Sequence, residues 1–401
     1  MIFEKSASSP ALIRDASQAP RNVRALIVDL SKRYGGASTR TIALAHQLQL
    51  YGAMIAGLKD SPVVSEARKY GIPVRTVGKY RLDPTIPFRL SRIIRDGHYQ
   101  VIDTQNVQSK LWGSIAAYMT NTALVSTLNS WYETEHGYSL KGKLYTAIEL
   151  WTNRQTDYYI AVSDDVRKAL LNAGVADKSV ALIHNAIDLD ADAIQVDAER
   201  FRGDLGLPPD AIVCVTAGRL VWAKGLDNLI SAFRQVADKL PNVYAVIVGS
   251  GPIYSELTTQ IDRAGLQNRI FLLGYREHDE VLKILKSSNI FVMPSRTEGT
   301  PLALLEAAAL GKPILATCCG GIPEIVTDKI EALLVPVDDI YALANALIKL
   351  CLDTAYASEL GVRAQARNNS DFDHFRFVEA TWNVYVRAFE RRSGYAVFES
   401  R

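Results

Sequence analysis

Short apolar runs alternate with longer helical patterns along this chain, and this alternation limits the fold more than any other feature. Seven runs rich in Val, Ile and Ala lie in the first half, at 25–30, 53–57, 74–77, 101–104, 124–127, 159–162 and 180–183. Six more follow in the second half, at 212–217, 244–248, 270–273, 290–293, 314–317 and 332–335. Strands of parallel βαβ units are buried on both faces and show this pattern. We therefore predict an α/β protein with two doubly wound domains.

Composition places the boundaries of these domains. Residues 188–209 are rich in Asp, Ala and Pro with little apolar periodicity, which predicts a linker between domains at 21–187 and 210–370. The aromatic, amphipathic segment 371–401 predicts a helix that docks back on the first domain. Residues 1–20 lack the apolar core of a signal peptide, and no run reaches the ~18–20 residues that span a bilayer. We expect a flexible leader and a cytoplasmic protein.

Charge differs between the two halves. The chain has 45 Lys and Arg against 43 Asp and Glu, a net charge of +2, which disfavours a nucleic-acid-binding protein. Residues 21–187 have a net charge of +8, whereas residues 188–401 have a net charge of −6. Chance scatter of surface charge is one explanation, and an anionic partner for the first half is the other. The four cysteines suit neither a disulfide framework nor a metal site, which indicates a reducing compartment.

Two glycine loops at predicted strand ends suit an anionic ligand. Gly35 and Gly36 follow the first strand, where backbone N–H groups and a helix N-terminus can approach an anion, although a plain turn explains them as well. The loop 218–225 carries Arg219 and Lys224. A guanidinium fork and an ammonium point charge together suit a diphosphate, and a solvated basic loop is the alternative.

Two further strand-end loops narrow the chemistry. Gly249 and Gly251 resemble the start of a dinucleotide fingerprint, but Tyr254 occupies the place of the third glycine, which argues against a nicotinamide site.

The loop 294–301 carries Glu298, and we expect Gly299, Thr300 and Pro301 to open a helix that bears Glu306. Two carboxylates about 10 Å apart beside free helix N–H groups predict a sugar-nucleotide site. A hydrolytic acid/base pair and plain surface charge are the alternatives.

The order and spacing of these motifs resemble the family-4 retaining glycosyltransferases with the GT-B fold, of the bacterial cell-envelope and exopolysaccharide type. The matching positions are Gly218-Arg219, Lys224-Gly225, Gly249–Gly251, Glu298 to Glu306 as E-x7-E, Gly311-Lys312-Pro313 and 320–325, supported by Gly35-Gly36, Val162-Ser163 and 183–188. The resemblance covers nearly the whole chain. It implies two Rossmann-like domains that face each other across a cleft, with acceptor binding in the first and nucleotide-sugar binding in the second.

The resemblance also implies roles for the motif residues. Arg219 and Lys224 would hold the donor diphosphate, Glu306 the ribose hydroxyls, and Glu298 the transferred sugar. The donor would also meet the backbone of Gly35, Gly36, Gly249, Gly251, Gly299, Thr300, Pro301 and Leu302. Family members transfer with retention by a same-face displacement, in which the leaving diphosphate helps to deprotonate the acceptor. We expect no metal ion and no cofactor.

One departure from the family concerns the first domain. Asn129 stands where the family often has a His, and Asn binds a hydroxyl but does not shuttle protons. His136 is a second candidate for that role. The missing His leaves a non-catalytic nucleotide-sugar-binding subunit as an alternative. A glycan phosphorylase and a sugar-nucleotide epimerase on the same scaffold are two others.

The basic first half indicates the kind of acceptor. Cationic side chains that alternate with apolar ones between residues 79 and 110 predict an amphipathic surface for anionic lipid headgroups: Lys79, Arg81, Arg89, Arg92, Arg95 and Lys110. The helix predicted at 139–151 adds Lys141 and Lys143. We expect a glycan or lipid-linked acceptor handled at the inner face of the plasma membrane, with helices packed on the sheet under an ordinary charged surface as the alternative.

Overall fold

A computed structural model describes residues 23–32, 34–132 and 139–394. These residues form two compact units. The C-terminal unit comprises residues 187–373, and the N-terminal unit comprises the described residues before 187 together with the final helix.

The N-terminal unit is built on seven parallel strands in the order β3-β2-β1-β4-β5-β6-β7. The strands are β1 (Ala25–Asp29), β2 (Met54–Gly57), β3 (Val74–Thr76), β4 (Val101–Thr104), β5 (Ala123–Leu128), β6 (Tyr158–Ala161) and β7 (Val180–Leu182). The helices are α1 (Gly36–Leu48), α2 (Pro62–Lys69), α3 (Ile86–Gly97), α4 (Val107–Thr120), α5 (Leu140–Trp151), α6 (Asp164–Asn172) and, in this unit, the final helix His374–Ser393. The strand order reverses between β1 and β4, where ligands of such sheets bind beyond the carboxyl ends.

Local sequence explains where the helices of this unit begin. Asn106 caps α4, since its side chain accepts a hydrogen bond from the Ser109 amide while the Ser109 hydroxyl accepts one from the Asn106 amide. Ser163 caps α6 through the amide of Val166. These caps start both helices directly after a strand, so the loops at the sheet edge are short.

The C-terminal unit has six parallel strands in the order β10-β9-β8-β11-β12-β13. The strands are β8 (Ile212–Ala217), β9 (Val243–Val248), β10 (Ile270–Gly274), β11 (Ile290–Met293), β12 (Ile314–Thr317) and β13 (Leu333–Val335). The helices are α7 (Ala198–Asp204), α8 (Leu226–Lys239), α9 (Tyr254–Ala264), α10 (His278–Ser287), α11 (Leu302–Ala309), α12 (Ile322–Ile325), α13 (Ile340–Leu352) and α14 (Thr354–Asp371). The final helix, His374–Ser393, is α15.

Helix α15 returns to the N-terminal sheet, as predicted, and packs on β4, β5 and β6. Its inner face buries Phe377, Trp382 and Tyr385. The Tyr385 hydroxyl donates to Asp103 Oδ2 over 2.6 Å, and Arg392 Nη2 lies 2.8 Å from Asp157 Oδ2. Apolar burial and these polar contacts together fasten the end of the chain to the first domain.

The strand predictions are confirmed, and the interpretation of residues 188–209 needs a correction. Every predicted strand is present with its ends displaced by no more than one residue. The predicted linker contains α7, which Asp197 caps through the amide of Arg200. The whole segment belongs to the C-terminal unit. Among the described residues, no helix has the length and apolar character needed to cross a bilayer.

Candidate functional site

A cavity open to solvent lies at the carboxyl ends of β8, β9 and β11 in the C-terminal unit. Its wall includes Gly218, Arg219, Lys224 and Ser295. The predicted diphosphate loop therefore lines a concave site at the sheet edge where doubly wound domains bind their ligands.

Gly249 and Gly251 support the diphosphate loop. A Cβ atom at Gly249 would lie 1.8 Å from the carbonyl oxygen of Gly218, and one at Gly251 would lie 2.1 Å from that of Leu220. Only glycine permits this approach, so the second glycine loop sets the position of Gly218 and of Arg219 beside it.

Lys224 and Glu298 meet within this site. Lys224 Nζ lies 2.5 Å from Glu298 Oε1, and the Ser295 hydroxyl donates to the same oxygen over 2.6 Å. The Glu298 side chain is only 7% exposed. A carboxylate held at this depth by an ammonium group and a hydroxyl is fixed in orientation. Gly320 packs directly against the loop that carries Glu298, since a Cβ atom at Gly320 would lie 1.9 Å from the Glu298 carbonyl oxygen.

The helix that bears Glu306 begins later than expected. Pro301 is the N-cap, with an extended backbone, and α11 starts at Leu302 rather than at Gly299. Glu306 is buried, and burial raises the pKa of its carboxyl group, an effect that the nearby His278 opposes. His278 Nε2 lies 3.6 Å from Glu306 Oε1. His278 opens α10, so two helices bring this pair together.

Arg296 is a residue of the site that motif reasoning missed. Its Nη1 donates to the Trp222 carbonyl oxygen over 2.8 Å, its Nη2 lies 2.7 Å from Asp227 Oδ2, and its Nε lies 2.7 Å from Asp338 Oδ1. Its own amide donates to the carbonyl oxygen of Ala223. Arg296 thereby joins the Glu298 loop to the loop that carries Lys224. Its position between two motif residues, Ser295 and Glu298, was the available signal.

In the N-terminal unit, the Gly35-Gly36 loop precedes α1. Gly35 is the N-cap of this helix, with extended backbone. Asp29, at the end of β1, accepts hydrogen bonds from the Ser31 amide, the Ser38 hydroxyl and the Asn106 amide group. Burial raises the pKa of the Asp29 carboxyl group, and the hydrogen bonds oppose that rise. This buried carboxyl group ties the loop after β1 to the loop after β4.

Asn129 lies just beyond β5, with its side-chain nitrogen donating to the Gln105 carbonyl oxygen over 3.3 Å. Its Oδ1 is buried and has no hydrogen-bond partner among the described residues. His136, the second candidate for the family's His, lies outside the described residues.

The predicted cationic surface at residues 79–110 is partly wrong. Lys110 is buried beside Glu149 with its side chain 1% exposed, because α4 turns it into the interior. Arg81 Nε donates to the Leu30 carbonyl oxygen, and Arg89 Nη1 to that of Val77. Lys79, Arg89, Arg92 and Arg95 are exposed.

The described part of the chain has no group of three or more His, Cys, Asp or Glu residues placed to hold a metal ion. Asp190 and Asp192 have the Asp-x-Asp spacing found in some metal sites, and Asp190 accepts hydrogen bonds from the amides of Asp192 and Ala193. This pair is a local turn.

Two family models match the two units of the chain. The model described as Glycosyltransferase Family 4 matches residues 34–191, and that described as Glycosyl transferases group 1 matches residues 197–367. The second range contains the cavity and both glutamates of the predicted site.

Curated relatives are matched over part or most of their length. The chain is 26% identical to an Escherichia coli UDP-Gal:alpha-D-GlcNAc-diphosphoundecaprenol alpha-1,3-galactosyltransferase over 66% of this chain and 69% of that protein. It is 29% identical to WcaL of Escherichia coli K12, named a putative colanic acid biosynthesis glycosyltransferase, over 55% of this chain and 54% of that protein.

Solved structures share the fold. Anabaena HepE in complex with UDP and glucose superposes with a TM-score of 0.79 at 24% identity, over 89% of this chain and 97% of that one.

Proposed function

Since this chain belongs to the family-4 glycosyltransferases with the GT-B fold, we propose that it transfers a sugar from a uridine diphosphate donor to a glycan or lipid-linked acceptor. The enzyme class follows from the family. The donor is supported by the relative named for UDP-Gal and by the UDP in HepE. The acceptor is supported by the undecaprenol-linked and polysaccharide substrates in the names of the relatives.

One observation carries the proposal: the cavity wall brings together Arg219, Lys224 and the Glu298 loop. Two cations and a glycine-rich backbone are the groups that bind a diphosphate. A carboxylate already oriented by Lys224 and Ser295 can accept hydrogen bonds from sugar hydroxyls. Glu306, on α11, is proposed to take the ribose hydroxyls.

We propose that transfer proceeds with retention and without a metal ion. As the bond from the anomeric carbon to the diphosphate breaks, negative charge grows on the leaving phosphate. Arg219, Lys224 and the amides of Gly299, Thr300 and Leu302 would stabilise that charge, and the leaving phosphate would take the acceptor proton on the same face of the sugar. Asn129 would orient the acceptor hydroxyl, because an amide forms hydrogen bonds but neither gains nor loses a proton at neutral pH.

We place the reaction in cell-envelope polysaccharide or lipopolysaccharide synthesis, at the inner face of the plasma membrane. The net charge of +8 on residues 21–187 supports an anionic surface as a partner of the acceptor-side domain.

Thermal unfolding with UDP-, GDP- and ADP-sugars tests the donor. The true donor raises Tm by mass action, and we expect the uridine series to do so. Lys224→Met should abolish both this rise and sugar transfer, whereas Lys239→Met, at the exposed end of α8, should change neither. Equal stabilisation and transfer in Lys224→Met would refute the site.

Product analysis separates the remaining alternatives. A transferase consumes donor only when acceptor is present, and it releases nucleoside diphosphate. Conversion of donor without acceptor would indicate an epimerase, and dependence on inorganic phosphate a phosphorylase. Binding of donor with no turnover on any acceptor would indicate a non-catalytic subunit.

A further inference from the structure

Helices α4 and α5 bury a pair of opposite charges against each other. Lys110 Nζ lies 3.2 Å from Glu149 Oε1, and the two side chains are 1% and 0% exposed. Lys110 also hydrogen-bonds the Thr156 hydroxyl, while Ser126 and Tyr132 donate to Glu149. Both charged groups of the pair thus have hydrogen-bond partners within the N-terminal unit.

This burial determines what the two helices present to solvent. Lys110 is the only charged residue of α4, and Glu149 is the only acidic residue of α5. With both turned inward, the outer face of α4 has no charged side chain and that of α5 has no carboxylate. The residues of α4 that reach solvent near its middle and end are Leu111, Trp112, Ile115, Tyr118, Met119 and Thr120.

The outer face of α5 is apolar as well. Leu140, Leu144 and Trp151 are 86%, 58% and 70% exposed, and Tyr118 on the neighbouring α4 is 74% exposed. The spacing of Leu140, Leu144, Ala147 and Trp151 places them on one side of the helix. Such a stripe on a helix otherwise packed into a domain indicates an interaction surface.

Cationic residues border this apolar surface. Helix α3, which packs against the other side of α4, exposes Arg89, Arg92 and Arg95. Its one acidic residue, Asp96, lies 3.5 Å from Arg92. On the far side, Lys143 and Arg154 are exposed. Asp83 also lies 3.4 Å from Arg89, so among the described residues the border has more cations than carboxylates.

We propose that the outer surface of α3, α4 and α5 docks this protein on an anionic lipid bilayer. Leu140, Leu144, Trp151 and Tyr118 enter the interfacial region, and the bordering cations contact the headgroups. A uniformly anionic interface matches an apolar stripe bordered by cations, whereas a protein partner presents charges of both signs. The inference rests on the proposed lipid-linked acceptor, and it assigns the membrane contact to the outer faces of these helices, with Lys110 itself buried in the interior.

Vesicle co-sedimentation tests the surface. The full chain should bind vesicles of phosphatidylcholine with phosphatidylglycerol and bind pure phosphatidylcholine more weakly, with binding to the anionic vesicles reduced by salt. The triple variant Leu140→Glu, Leu144→Glu, Trp151→Glu should lose about ten-fold or more of the binding to anionic vesicles, because apolar burial is replaced by charge. The positions are exposed, so the fold should persist.

A matched control comes from the other domain. Tyr341 and Leu352 are 73% and 68% exposed on α13, and Tyr341→Glu, Leu352→Glu should bind vesicles like the unmodified protein. Equal vesicle binding by the triple variant, or no binding by the unmodified protein at low salt, would overturn the proposal. A change from dimer to monomer in the triple variant with vesicle binding intact would instead make this surface a self-association interface, and would also overturn it.

Sugar transfer to an acceptor dispersed in detergent distinguishes the membrane-docking proposal from the proposed enzyme function. The triple variant should retain that activity and the donor-induced rise in Tm while it loses vesicle binding. Absence of transfer from the unmodified protein, with vesicle binding that depends on the three residues, would refute the enzyme function and leave the surface intact.

Discussion

At the scale of single residues, Glu306 combines a functional position with an electrostatic cost. Burial raises the pKa of its carboxyl group above the usual value of 4.5, and the nearby His278 only partly offsets this. A carboxyl group with a raised pKa in the folded state lowers stability progressively as pH rises from its unfolded value through its folded value. The ionised form that would bind ribose hydroxyls is therefore the form that the fold tolerates least.

We expect Glu306→Gln to raise the Tm of the C-terminal unit by about 2–4 °C for each kcal/mol of relieved desolvation at pH 8. The gain should shrink towards pH 5, where the native carboxyl group is increasingly protonated. Donor affinity should fall, because the neutral amide is a weaker acceptor for two hydroxyls. Thermal scans at both pH values with and without UDP-sugar measure both effects.

Glu256→Gln, on the exposed side of α9, is the matched control and should leave Tm and affinity unchanged at both pH values. A Tm for Glu306→Gln below that of the unmodified protein at pH 8 would mean that contacts of the carboxylate outweigh its desolvation.

Predictions for single residues succeed where a chemically suitable side chain lies in a loop that directly follows a strand. Arg219, Lys224 and Glu298 follow strands whose ends meet at one sheet edge, so their convergence was predictable. The sequence prediction placed Lys110 on the surface, which is wrong. Amphipathic spacing within one segment cannot predict that Glu149 faces Lys110 from another helix. Long-range pairing of this kind is set by tertiary packing.

At the scale of elements, strands were the most predictable part of the chain. Their Val-, Ile- and Ala-rich runs are buried almost throughout, as in β1, β4 and β11. Helix α7 was not predicted, since it buries none of its residues and so has no apolar periodicity. The late start of α11 also escaped prediction, because Pro301 is compatible with the first turn as well as with the N-cap.

Arg296 shows how one side chain can position two elements. Hydrogen bonds and charge attraction with Asp227 raise the pKa of its guanidinium group, which stays ionised. We expect Arg296→Lys to raise the KM for donor about ten-fold with a smaller effect on kcat, because one ammonium cannot reach Trp222, Asp227 and Asp338 together. Steady-state kinetics with donor as the varied substrate provide the test.

Arg263→Lys, on the exposed surface of α9, is the conservative control and should leave KM unchanged. A fall in kcat alone for Arg296→Lys, at unchanged donor KM, would contradict a role in positioning the Lys224 loop.

At the scale of the whole molecule, the chain closes the first domain with its last helix. Residues 374–393 cap a sheet formed by residues before 187, so the N-terminal unit is complete only after the C-terminal unit has been synthesised. The packing of α15 on this sheet depends on hydrogen bonds as well as on buried apolar area. Asp103 is buried, burial raises the pKa of its carboxyl group, and Tyr385, Thr127 and Gln105 donate to it.

Tyr385→Phe removes one of those donors and leaves the aromatic packing in place. We expect the N-terminal unit to lose about 1–3 kcal/mol, the cost of leaving a buried acceptor unsatisfied. Hydrogen exchange should then rise in β4, β5 and α15, while β8, β11 and α11 stay as protected as before, because the two units have separate cores. Asn383→Ala, on the exposed side of α15, is the control and should leave exchange unchanged. Equal loosening of both units in Tyr385→Phe would show that the two cores unfold as one cooperative unit, and that α15 does not act on the first domain alone.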